Sequence, residues 1–184
     1  MNLTKTALFL DRDGVIIENR AAYVRSWNDV LIFPQAVAAL AQIADAPYKI
    51  ILVTNQSVVG RGIISLATAQ GINDRLVGEI EKAGGRVDDV FMCPHAPSDQ
   101  CHCRKPKPGL LLQAAQRHHL DLAQSVMIGD ALTDVEAGQQ AGVGQVGLVK
   151  TGRGAEQLRL PRPEGLRPFS VFTDLAEVLA AWTK

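Results

Sequence analysis

The sequence predicts an α/β fold with three layers, a mainly parallel sheet held between helices. Two observations carry this: short apolar runs alternate with longer amphipathic segments along the chain, and several of the runs end directly in a polar residue. A third supports it. No internal repeat, low-complexity tract or linker divides the 184 residues, so the expectation is a single domain spanning 1–184.

Ala7–Leu10, four apolar residues stopped by Asp11, makes the first strand, and Gln35–Asp45 follows as a helix with apolar residues near helical spacing. Ile50–Thr54, rich in β-branched and aliphatic side chains, is the second strand. Leu66–Ala83 is the next helix, with glycine just beyond it where a left-handed cap is needed. Asp89–Cys93 and Ser125–Ile128 are the third and fourth strands, with the helix Gly109–His119 between them. Thr133–Ala141 forms a helix ahead of Gly142, and Gln145–Val149 is the fifth strand. Residues 151–168, rich in Gly, Pro and Arg, read as an irregular surface loop. Val171–Phe172 adds a sixth strand, and a last amphipathic helix opens behind Thr173 or Asp174 as its cap.

Composition narrows the function. Hydrophobic residues make up 47% of the chain, which excludes a disordered protein, and no apolar run approaches the roughly 20 residues of a membrane span. Nineteen basic residues balance nineteen acidic ones, which argues against a partner held through many phosphates, so neither nucleic acid nor membrane is expected. The apolar run near the start is too short for the core of a signal peptide, about 7–15 residues, and a cytoplasmic monomer is expected. Three cysteines clustered between Cys93 and Cys103 suit a metal better than a disulfide framework.

In open α/β sheets, ligands collect at the carboxyl ends of the strands, and four motifs stand there. Asp11-Arg12-Asp13-Gly14 offers two carboxylates suited to a hard divalent cation, although an Asp-Gly turn has the same sequence. Thr54-Asn55-Gln56-Ser57 offers a hydroxyl and amides for phosphate oxygens, and equally a turn or cap. Arg104-Lys105-Pro106-Lys107-Pro108-Gly109 is a stiff basic segment before a helix, which a dianion would suit. Gly129-Asp130 brings a further carboxylate, with Asp134 either in the site or serving the first turn of a helix.

The four motifs in this order resemble the haloacid dehalogenase superfamily of phosphohydrolases over roughly residues 5 to 182. That resemblance implies the superfamily's Rossmann-like fold, with Asp11 as nucleophile and Asp13 as general acid and base. It also implies Thr54 on a phosphate oxygen, Lys105 balancing charge, and Mg²⁺ on Asp11, the Asp13 carbonyl and Asp130. No insertion between residues 14 and 50 or 56 and 104 is long enough for a cap domain, so an open site for small phosphate esters is expected.

Cys93, His95, Cys101 and Cys103 form a complete tetrahedral set for a structural Zn²⁺, which would hold a small loop carrying Arg104 and Lys105. A Cys101–Cys103 disulfide is the alternative, with strained geometry. His102 has no evident role, and His118 and His119 are expected to face solvent. Within the superfamily, Cys-Pro-His followed by Cys-x-Cys-Arg-Lys-Pro is similar to the D-glycero-D-manno-heptose 1,7-bisphosphate phosphatases and to the histidinol-phosphate phosphatases. Asn55-Gln56-Ser57 with Gly60-Arg61-Gly62, and Lys105-Pro106-Lys107-Pro108-Gly109, resemble the heptose family more, whereas the short loop from His95 to Cys101 resembles the histidinol family more. Ala131, where some heptose enzymes carry lysine, departs from the pattern. The favoured resemblance implies a small phosphorylated sugar as substrate. Arg104 would grip its second phosphate, and Asn19, Arg20, Tyr23, Asn55, Gln56 and Arg61 would supply further contacts. A DNA 3′-phosphatase and a non-catalytic zinc-stabilised binding module are the remaining readings.

Overall fold

A computed structural model describes residues 5–182. Six parallel strands form one sheet in the order β3-β2-β1-β4-β5-β6: β1 Ala7–Leu10, β2 Lys49–Asn55, β3 Asp89–Cys93, β4 Val126–Gly129, β5 Gln145–Val149 and β6 Ser170–Phe172. The chain order reverses beside β1, so the carboxyl ends of β1, β2 and β4 converge on one crevice. Residues 1–4 and 183–184 lie outside the described region.

Parallel strands covered on both faces must be apolar on both faces, and the buried side chains divide accordingly. Leu8, Leu10, Ile50, Leu52 and Ile128 face a core closed by α1 (Pro34–Gln42), α3 (Leu66–Lys82) and α7 (Leu175–Trp182). Phe9, Ile51, Val53, Met127 and Leu148 face the opposite core, closed by α4 (Gly109–His118) and α5 (Leu132–Ala141). These are the three expected layers.

Element ends follow local chemistry. Pro34 opens α1 at its first position, where its missing N–H costs nothing. Ser65 Oγ accepts from Thr68 N–H at 3.0 Å and caps α3. Asp174 Oδ1 accepts from Glu177 N–H at 3.0 Å, which decides between the two caps foreseen for α7.

Ser57–Gly60 forms a helical turn, α2, directly after β2. Two expectations need correction. The stretch 151–168 is not wholly irregular, because Gly154–Gln157 coils into α6. His118 is not a solvated surface residue: it is half-buried, and its Nε2 lies 2.8 Å from Asp89 on the edge strand. Among the described residues, neither connection around the site builds a separate cap.

Candidate active site

Asp11 stands one residue past β1, with its N–H bonded to the Ile128 carbonyl at 2.9 Å, so the carboxylate points over the sheet edge. Gly14 turns the chain away at φ +83°, a value that favours glycine. A methyl group there would stand 2.1 Å from Asp130 Oδ2 and 2.7 Å from Asn19 Oδ1. Gly129 is required for a similar reason, since a Cβ would collide with the Asp134 carboxylate at 2.2 Å.

Lys105 is the hub. Its buried ammonium donates to Val53 O at 2.7 Å and pairs with Asp11 Oδ1 at 2.9 Å and Asp134 Oδ1 at 2.6 Å, so all three protons are satisfied. The Asn55 side chain fixes the backbone of Lys105 from both sides, accepting from its N–H at 3.1 Å and donating to its carbonyl at 3.0 Å. Burial alone would lower the Lys105 pKa, but the Asp11 and Asp134 charges hold it above the ordinary value. Asp134 is pushed up to about 7 by burial first, against the pull of Lys105 and with added repulsion from Asp11 and Asp130. Asp134 also accepts from Ala131 N–H at 3.0 Å, so it starts α5 and serves the site at once.

Asp130 is wholly buried, and burial followed by the charge of Asp11 raises its pKa. The backbone N–H of Arg153 meets its Oδ2 at 2.8 Å. Asp11, Asp130 and Asp134 each offer an oxygen within 4.8 Å of the others, and Asn19 Oδ1 is buried without a hydrogen-bond partner. Three carboxylates sharing one ammonium and the half-exposed Arg153 guanidinium leave an excess of negative charge, and these hard oxygen donors fit a divalent cation such as Mg²⁺.

A cleft of about 200 Å³ opens above these groups. Asp11, Asp13, Lys105 and Arg104 line it, together with Asn19, Arg20, Tyr23, Asn55 and Gln56. Arg104 Nη1 is buried without a hydrogen-bond partner among the described residues. Two foreseen residues sit elsewhere. Arg61 is exposed and outside the cleft lining, and Thr54 lies fully buried beneath Gln56, whose Nε2 donates to Thr54 Oγ1 at 2.9 Å.

Ser57 of the second motif lines the cleft, and Arg153 lines it without having been foreseen. Glycine around Arg153 disguises that segment as an ordinary loop. The available signal was its place just past β5, the strand beside β4.

Beside the cleft, Cys93, His95, Cys101 and Cys103 bring their ligand atoms within 4.8 Å of one another. Cys93 and Cys101 Sγ lie 3.6 Å apart, Cys101 and Cys103 Sγ 3.5 Å apart, and His95 Nδ1 is 3.2 Å from Cys103 Sγ. All three thiols are free, so there is no Cys101–Cys103 disulfide, and the separations are near the edges of a tetrahedron with metal–sulfur bonds of about 2.3 Å. Burial works against the Cys101 thiolate, yet the Arg104 N–H and the neighbouring thiols lower its pKa to about 7.

Residues 102–178 match a family model described as HAD-hydrolase-like. A D-glycero-beta-D-manno-heptose-1,7-bisphosphate 7-phosphatase of Bordetella bronchiseptica is 41% identical over 172 residues, covering 93% of this chain and 94% of that protein. The chain belongs to this family of haloacid dehalogenase-like phosphatases. A family member of the same name from Pseudomonas aeruginosa is 37% identical over 97% of this chain and 98% of its own. The crystal structure of the B. bronchiseptica D,D-heptose 1,7-bisphosphate phosphatase complexed with magnesium and phosphate superposes with a TM-score of 0.89. It is 38% identical, with 97% of this chain and 98% of that one covered. The family fold is therefore the one foreseen from the strand-end motifs.

Proposed function

We propose that this chain, as a single catalytic domain, hydrolyses the 7-phosphate of D-glycero-D-manno-heptose 1,7-bisphosphate through an aspartyl-phosphate. One observation carries the reading: Asp11, Lys105 and Arg104 meet at one cleft in a chain that aligns over nearly its whole length with heptose bisphosphate phosphatases.

Asp11 attacks phosphorus while Lys105 Nζ, already 2.9 Å from it, offsets the charge of the phosphoryl oxygens. Asp13 gives a proton to the leaving sugar oxygen and then takes one from the water that cleaves the acyl phosphate. Thr54, fully buried beneath the cleft, accepts from Gln56 Nε2 and so supports the Gln56 amide that borders it. Arg104 holds the second phosphate, while Asn19, Arg20 and Tyr23 border the sugar. Asp11, the Asp13 carbonyl and Asp130 are the groups that would hold Mg²⁺, whose chemistry is to neutralise phosphoryl charge. The four Cys and His ligands would hold a structural Zn²⁺. The protein acts as a cytoplasmic monomer on a small phosphorylated sugar, with neither nucleic acid nor membrane as partner.

The test is kcat/KM for phosphate release with Mg²⁺, comparing heptose 1,7-bisphosphate with histidinol phosphate. The expected result is a strong preference for the bisphosphate with heptose 1-phosphate as product, and Arg104→Ala raising KM for it about tenfold or more. A preference for histidinol phosphate would overturn the substrate.

Magnesium should also stabilise the protein in a pH-dependent way. Asp134 titrates near 7 in the folded chain against an ordinary 3.8, so the folded state keeps a proton that the unfolded chain has already released. That stability is full below about pH 4 and is lost as pH rises through about 7. A cation neutralising the same cluster restores it. Saturating Mg²⁺ is therefore expected to raise Tm by several degrees at pH 8 and by clearly less at pH 5.5, read by calorimetry. An equal gain at both pH values would place the cation elsewhere.

A further inference from the structure

The Asp13 carboxylate is not free in the cleft. Arg12, which is 1% exposed, turns back on it: Nε donates to Asp13 Oδ2 at 3.1 Å, and Nη2 lies 3.0 Å from Oδ2 and 3.2 Å from Oδ1. Gln56 Nε2 adds a third donor group to Oδ2 at 2.9 Å. Oδ2 is thus tied down, whereas Oδ1 receives only the long edge of the fork. Asp13 nonetheless lines the cleft.

The fork itself is fixed from a distant element. Arg12 Nη1 donates to Asn73 Oδ1 at 2.8 Å, and Asn73 is 3% exposed on the inner face of α3. The Asn73 amide nitrogen in turn lies 3.5 Å from Met92 Sδ, which fixes which way the amide faces. A buried guanidinium with one nitrogen on Asn73 and the other two on a carboxylate has no rotational freedom left.

We infer that Asn73 is a positioning residue for the reaction: through Arg12 it orients Asp13 so that Oδ1 delivers the proton to the leaving oxygen. This rests on the proposed role of Asp13 as general acid. Such an acid matters in proportion to how poor the leaving group is. A sugar alkoxide needs the proton as the P–O bond breaks, whereas p-nitrophenolate leaves nearly as well without it.

The experiment compares kcat/KM for heptose 1,7-bisphosphate and for p-nitrophenyl phosphate in the parent, Asn73→Leu, Asn73→Asp and Asp13→Asn. Asn73→Leu keeps the volume and removes the acceptor. It is expected to lower the sugar rate about tenfold or more while the aryl rate changes by less than about threefold. Asn73→Asp keeps an oxygen for Arg12 Nη1 and is expected to restore most of the ratio. Both substrates are measured on one preparation, so the ratio does not depend on the fraction folded. Equal losses on both substrates in Asn73→Leu, or no loss on either, overturn the positioning role. Asp13→Asn separates the two readings. If it spares the aryl ester and Asn73→Leu does not, only the link through Arg12 fails; if it hits both substrates alike, Asp13 is not the acid and the inference falls with it.

Discussion

Asp11→Asn is expected to lower kcat for the heptose bisphosphate by about four orders of magnitude or more, with the fold retained. The amide cannot form the acyl phosphate, and the neighbouring carboxylates are committed elsewhere, Asp13 to the Arg12 fork and Gln56. Asp130 is fully buried under Arg153 N–H, and Asp134 is committed to Lys105 and to the start of α5. Stability should move little, because Lys105 loses one partner while Asp130 and Asp134 lose a repelling charge. Circular dichroism and the thermal transition check the fold, and phosphate release checks the rate. A variant with a tenth of parental activity would sink the nucleophile assignment.

The second large effect concerns the thiol cluster. Cys93 ends β3 fully buried, and the loop it shares with His95, Cys101 and Cys103 leads directly into Arg104 and Lys105. Zinc holding these four groups would contribute folding free energy outright. Cys93→Ala is expected to abolish stoichiometric zinc, lower Tm by about 10 °C or more and remove most activity, because Lys105 loses its support. Metal analysis of the purified protein and a thermal scan with and without a chelator check it. Full activity in a zinc-free preparation would show that the loop needs no metal.

Much of this was legible from sequence, for identifiable reasons. Strands buried on both faces must be apolar throughout, so β1, β2 and β5 stand out as runs, and their bounds fall within a residue or so of those expected. Asp11, Asp13, Lys105 and Asp130 each follow a strand or precede a helix, where sheet topology brings ligands together. Asn73 carries no such signal. It sits mid-helix on α3, and only the packing of that helix on the sheet brings it to Arg12. Arg153 was hidden because Thr151-Gly152-Arg153-Gly154 reads as a loop, yet Thr151 Oγ1 donates to the Gly14 carbonyl at 2.6 Å and ties this segment to the nucleophile turn. Arg61 shows the opposite failure: a plausible cation near the second motif that α2 carries out to solvent.

The most direct test of the central claim is to trap the enzyme during turnover. Acid quench with the heptose bisphosphate and Mg²⁺, followed by peptide mass analysis, is predicted to find phosphate on the peptide holding Asp11 and none in Asp11→Asn. Turnover at full rate with no phosphorylated peptide, or with the phosphate on another side chain, would contradict it.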